Sequence, residues 1–332
     1  MNELVQMGID LYYGKTDKFS KDETENAFKQ ALLDICGGNF TAKTDPMSKW
    51  KVFNLITEVI DAVVPKTLEG QFDQFVDTQD IAWGDELIVE VTDPSLFKVA
   101  TIANGTANVR RQRLDRGTAN IVTAPRSVKI YDEFLRFVAG KIDWVLMVNR
   151  VAQSFALQIK TDIYTAIYNS YSALNATYQA SGSFNSSTFN TLVAHVEAAC
   201  NAPAVCFGTK VALSKITPSA GFTAYPGLMT QDMMGEVNKQ GYLGNFQGTP
   251  LIELQQAHIP GTENFAISDN FSIIIPQNGP AGKIAHLGFE GETIVQDNSV
   301  NMNADMSKEF AFIKSYGILI LSAAKYGIYQ VS

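Results

Sequence analysis

The run Gly8-Ile-Asp-Leu-Tyr-Tyr-Gly14-Lys15-Thr16 has the residue types of a phosphate-binding loop, in which backbone amides wrap the phosphates and a lysine reaches across them. Its spacing is wrong for that chemistry. Five residues separate the glycines where the loop needs four, and the seven residues before Gly8 are too few for the preceding strand. A second glycine-rich segment, Gly241-Tyr-Leu-Gly244-Asn-Phe-Gln-Gly248, follows a predicted helix instead of opening one. Gly241, Gly244 and Gly248 therefore read as a helix stop and a tight loop.

Metal chemistry has equally little support. His195, Cys200 and Cys206 lie near one another in sequence, but their spacings match no zinc pattern, and His258 and His286 fall in separate strand-like segments. With Cys36 the cysteines number three and form no CxxC pair, which indicates reduced, buried thiols. Neither a nucleophile elbow nor an HExxH pair is present. No catalytic, cofactor-binding or metal residue is assigned. Asn39, Asn104, Asn175 and Asn185 open glycosylation-type triplets, but no secretion signal accompanies them.

Charge is the informative property. Between Leu96 and Lys129 stand seven basic residues, Lys98, Arg110, Arg111, Arg113, Arg116, Arg126 and Lys129, against the single acid Asp115. The segment is formally +6 in a chain of 332 residues and net charge -8, so the remainder is about -14. It reads as a long hairpin with Asn104-Gly105 as a turn. A two-stranded ribbon is marginal alone in water, and a basic arm on an acidic body complements another copy of that body. The seven basic residues are thus candidate inter-subunit contacts. The acidic balance speaks against nucleic-acid grip as the main task. The N-terminal sequence has neither a basic leader nor a long apolar stretch, so a cytoplasmic setting without membrane insertion is expected.

Ser20-Lys-Asp-Glu23 forms a capping box before the apolar positions Phe28, Leu32 and Ile35, and Asp45-Pro46 opens a second helical pattern that runs to Pro65. Gly84-Asp85 precedes a strand at 86–92. From Lys141 to about Tyr178 there is neither Pro nor Gly, and Ile142, Val145, Val148, Ala152, Phe155, Ile159, Ile163 and Ala166 recur every three or four positions. This predicts one long amphipathic helix with a sheet packed on it; its charged residues exclude a membrane span. A polar stretch at Ser181–Ser187 marks a boundary, beyond which short helices and strands alternate as a mixed lobe. After Pro276–Pro280 the chain turns to strands, Phe310–Val331 bending at Gly317 and Gly327. The fold class is α+β.

The order of parts resembles the tailed-phage major capsid protein of the Hong Kong 97-type fold. The residues that carry the likeness are Gly84-Asp85, Ser95-Leu-Phe-Lys-Val99, Gly140-Lys-Ile-Asp-Trp144 and the segment Asn238–Ile252 with its three glycines. The resemblance implies an N-terminal arm (1–75), an extended β-hairpin loop (76–130) and a peripheral domain with spine helix and antiparallel sheet (131–185). It further implies an inserted mixed axial domain (186–280) and peripheral return strands (281–332). As function it implies a structural protein, not an enzyme, that self-assembles as pentamers and hexamers into an icosahedral shell around double-stranded DNA bound without sequence specificity. Separate scaffolding and portal proteins, possible decoration proteins, assembly in the host cytoplasm and a place in the virion capsid come with it. The alternatives are an encapsulin-like nanocompartment shell, told apart by particle content, and a soluble α+β enzyme using the mixed lobe.

Overall fold

The structure, a computed structural model, describes residues 6–10, 21–35, 57–64, 74–92, 96–102, 104, 110–113, 116–133, 144–216, 231–277, 282–297 and 307–331. Helix α1 spans Lys21–Ile35 and α2 the helical residues 57–64. Strands β1 (Val76–Ile81), β2 (Leu87–Thr92), β3 (Arg116–Ile121) and β4 (Ala124–Glu133) follow. The long helix α3 covers Trp144–Asn169. After it come β5 (Gln179–Gly182), α4 (Ser186–Cys200), β6 (Ala204–Gly208), α5 (Lys210–Ser214) and α6 (Gln231–Gln240). The chain closes with β7 (Asn245–Phe246), β8 (Thr249–Glu253), β9 (Phe271–Pro276), β10 (Ala285–Asp297), β11 (Ser307–Ile320) and β12 (Gly327–Val331).

At 26 residues α3 is about 39 Å long. The helix-forming pattern continues to Tyr178, but α3 stops at Asn169 and gives way to two 3₁₀ turns, Ser170–Ala173 and Ala176–Tyr178. Local polar groups compete there. The Ser170 hydroxyl lies between the Ile167 carbonyl and the Tyr326 hydroxyl, and the Asn175 side chain accepts from the amide of Thr177.

One buried stripe of α3, with Val151, Ala152, Phe155, Ile159, Ile163 and Ile167, packs against both the four-stranded and the six-stranded sheet. Each large side chain so buried contributes about 1.5–3 kcal/mol. The six-stranded sheet has the order β5-β12-β9-β6-β8-β7. Its central strands β6 and β9 are buried along their whole length, because α3 covers one face and α4 the other. Alternation sorts them: Val205, Phe207, Ile273 and Ile275 face α3, whereas Cys206 and Ile274 face Phe189 and Val196 of α4. Asn185 caps α4 by accepting from Ser187 and Thr188 amides.

The four-stranded sheet has the order β1-β10-β11-β4. It is not wholly antiparallel, since β1 runs parallel to β10. With β10–β11 and β11–β4 both antiparallel, β1 and β4 run in the same direction on opposite edges. Strands so related need a crossover, and the 82–123 excursion supplies it. The final strand β12 does not return to this sheet. It pairs with β5 and β9 in the six-stranded one, because the chain turns at Ser322–Ala324 and Lys325 (φ 52°), burying Tyr326 and Ile328 beside α3.

Candidate assembly surface

β2 and β3 pair antiparallel from Leu87 opposite Ile121 to Thr92 opposite Arg116. One face of this ribbon buries Leu87, Val89 and Ile121 with Leu321 in a small apolar cluster, and the other exposes Ile88, Glu90 and Asn120. The cluster rests on a cross-strand glycine pair, Gly288 on β10 opposite Gly317 on β11. A Cβ at Gly317 would lie 2.4 Å from the Val122 carbonyl oxygen, and one at Gly288 would lie 2.8 Å from Leu87 Cδ2. Leu287, Phe289, Phe312 and Tyr316 point the opposite way, into the α3 core. The sheet thus has the helix on one face and the ribbon on the other.

Beyond the ribbon base the described residues have no core. Leu96 is 93% and Val99 98% exposed, and Phe97 and Ile102 are half exposed. The two legs stay side by side because the Gln112 amide group both accepts from the Lys98 amide (2.8 Å) and donates to the Lys98 carbonyl (2.7 Å). Lys98, Arg110, Arg111 and Arg113 are exposed around these apolar side chains. Arg116 opens β3, and its side chain lies outside the described part of the structure. Arg126 belongs to the body: it is 3.7 Å from Asp162 of α3 and 5.3 Å above the Tyr316 ring, whose hydroxyl donates to Asp162 at 2.7 Å. Lys129 is exposed on β4 opposite Ala311.

The glycine-rich loop is a piece of backbone construction. Gly241 (φ 87°) ends α6 with its amide on the Val237 carbonyl, and the Gly244 amide donates to Glu236 at 3.3 Å. Gln247 and Gly248, both at positive φ, make the two-residue turn between β7 and β8. Gly8 lies in the helical residues 6–10, where a Cβ would come within 2.9 Å of Val59; Gly14 to Thr16 lie outside the described residues. Cys36 and Gly105 also lie outside them.

Two polar constellations carried no sequence signal. Lys314, 3% exposed, points from β11 to Asp61 of α2 at 2.5 Å and over the Phe289 ring, with Thr293 donating to the same carboxylate. Glu290 accepts from the Gly84 amide at 3.1 Å and from the Thr123 hydroxyl, and these two donors hold its carboxyl below the usual range. Burial pushes the Cys206 thiol up to about 12, leaving it a small apolar group. Among the described residues no three His, Cys, Asp or Glu side chains converge as a metal site, and no helix is long and apolar enough to cross a membrane.

The family model described as "SPbeta prophage-derived putative capsid protein YonB" matches residues 1–325. The chain belongs to the YonB capsid protein family. Solved structures agree on the fold. A chain from Microbacterium phage Oxtober96 superposes with a TM-score of 0.50 at 10% identity, covering 79% of this chain and 91% of that one. A chain of the bacteriophage PhiM1 mature capsid gives 0.50 at 7% identity, covering 77% and 85%. No curated protein sequence matches. The architecture is the Hong Kong 97-type capsid fold, as the order of sequence elements implies, and the role of this capsid protein is structural, as a major component of the virion shell. The family, described as prophage-derived, favours a phage capsid over the nanocompartment alternative.

Proposed function

We propose that this capsid protein assembles as pentamers and hexamers into an icosahedral shell that encloses double-stranded DNA without reading its sequence, and that it catalyses no reaction. The ribbon lies over a neighbouring copy, apolar tip downward, with Lys98, Arg110, Arg111 and Arg113 against the acidic body. The 82–123 excursion acts as the extended loop, β1 with 124–178 and 281–320 as the peripheral domain, and 179–280 with β12 as the axial domain around the shell's symmetry axes. Scaffolding, portal and decoration proteins act from separate chains in the host cytoplasm.

The observation that carries this reading is the ribbon end, where Leu96, Phe97, Val99 and Ile102 are exposed beside four exposed basic side chains. A cluster of exposed apolar side chains rimmed by charge marks an interaction site. Sedimentation and electron microscopy of the full chain co-expressed with its scaffold test the proposal, together with an assay of particle content. Closed particles that package DNA during infection are expected. A discrete monomer under those conditions, or particles filled with protein cargo, would overturn it.

A further inference from the structure

The two legs of the ribbon leave the four-stranded sheet at one row. Ile81 at the end of β1 is opposite Glu290 on β10, Glu290 is opposite Ser315 on β11, and Ser315 is opposite Pro125 at the start of β4. The two edge strands are about 14 Å apart at the usual strand spacing, so the legs must converge over β10 and β11. Glu290 stands on an inner strand of that row, on the ribbon face, one position beyond the inward-facing Phe289.

Its two carboxylate oxygens go one to each leg. Oε1 accepts from the Gly84 amide at 3.1 Å, and Oε2 accepts from the Thr123 hydroxyl. Gly84 sits in a turn closed by the Asp85 amide on the Ala82 carbonyl (3.2 Å), so its own amide remains to reach outward. Its φ of 80° favours glycine there. The register slips immediately after Glu290: β10 advances four residues to Ile294 while β11 moves only from Ser315 to Ile313. Gly291 in that bulge has φ 63°, and the Trp83 indole lies where its Cβ would be. The apolar seat on Gly288 and Gly317 holds the ribbon down but has no direction of its own, whereas hydrogen bonds to a fixed carboxylate do.

We propose that Glu290 is the positioning residue that sets the direction in which the ribbon projects, and through it the angle between neighbouring copies in the shell. The proposal rests on the reading that the ribbon docks on a neighbour. One carboxylate spans two legs that are nearly 40 residues apart in sequence, so it fixes the ribbon's root as a unit. Releasing either leg lets the root rotate on its glycine seat.

Hydrogen exchange on the unassembled full chain reads the tether, and electron microscopy of particles reads its effect. Glu290→Ala should speed exchange of the Gly84 amide by more than about tenfold, the loss expected for a charged acceptor. Amides of the β2–β3 pairing and the melting temperature should stay as in wild type. Glu290→Gln, which keeps one acceptor oxygen, should fall between. Particles of Glu290→Ala should spread over several diameters or remain open sheets where wild type makes one size. If Glu290→Ala lowers the melting temperature, Thr123→Val, which leaves the carboxylate and its bond to Gly84, carries the same comparison of particle sizes. Unchanged Gly84 exchange overturns the tether, and wild-type particle diameter despite faster exchange overturns its positioning role. Absence of particles from wild type itself would instead overturn the docking reading, and with it the link from tether to shell.

Discussion

Gly288 and Gly317 face each other across two strands, yet the space above them differs in kind. A methyl group at Gly317 meets the Val122 backbone carbonyl at 2.4 Å, which nothing but movement of the ribbon's second leg can relieve. At Gly288 the nearest atom, 2.8 Å away, is the end of a leucine side chain that can rotate. Gly317→Ala should therefore cost about 1–3 kcal/mol as overpacking of a closed contact, and Gly288→Ala clearly less. Denaturant unfolding of the two variants checks the order, and equal losses would show that the ribbon base yields as readily as a side chain. In the loop between α6 and β8, Gly241 and Gly248 are favoured for a different reason, their positive φ.

At the scale of elements, the parallel pairing of β1 with β10 carries His286. His286 lies opposite Asp77, its Nδ1 3.4 Å from a carboxylate oxygen. Burial lowers its pKa and outweighs the Asp77 attraction that raises it, with Lys283 nearby. The folded protein then takes up this proton at a lower pH than the unfolded chain, whose imidazole titrates near about 6.5. Above that pH both states are neutral and the contribution to stability is complete; it is lost as pH falls through the folded value. Wild type should lose more stability between pH 7 and pH 5 than His286→Leu, measured by urea unfolding at each pH. Parallel pH profiles would remove His286 from any role in holding β1.

For the whole molecule the governing feature is charge segregation, +6 between Leu96 and Lys129 and about -14 elsewhere. Changing Arg110, Arg111 and Arg113 to Glu brings the segment to zero. Each exposed pair is worth under about 1 kcal/mol, but three lost in every copy of a shell should reduce particle yield strongly. Screening acts over about 8 Å at physiological salt, so added salt should weaken wild-type assembly more than the variant's. Sedimentation of both proteins across salt concentrations measures this. Normal yield from the variant would eliminate the docking role of these arginines, and intact but empty shells would reassign them to the packaged DNA.

Local pattern was enough for the long helix, since a stretch without Pro or Gly and with apolar residues every three or four positions has few other solutions. It was enough as well for the strand-rich end and for the charge of the basic segment, although Arg126 and Lys129 fall on β4 of the four-stranded sheet and not on the ribbon. The fold class followed from the order of those elements. What the local pattern does not contain is partnership between distant strands. Only the tertiary structure decides that β12 leaves the first sheet for the second, that β1 and β4 run the same way so that the ribbon becomes their crossover, and that Arg126 turns inward to Asp162. Glu290 shows the limit most plainly. In sequence it is one acid between two glycines, and its partners Gly84 and Thr123 are 206 and 167 residues away. The period of a strand says which face a side chain takes, but contact across such separations depends on register and crossover, and both are settled when the sheets pack.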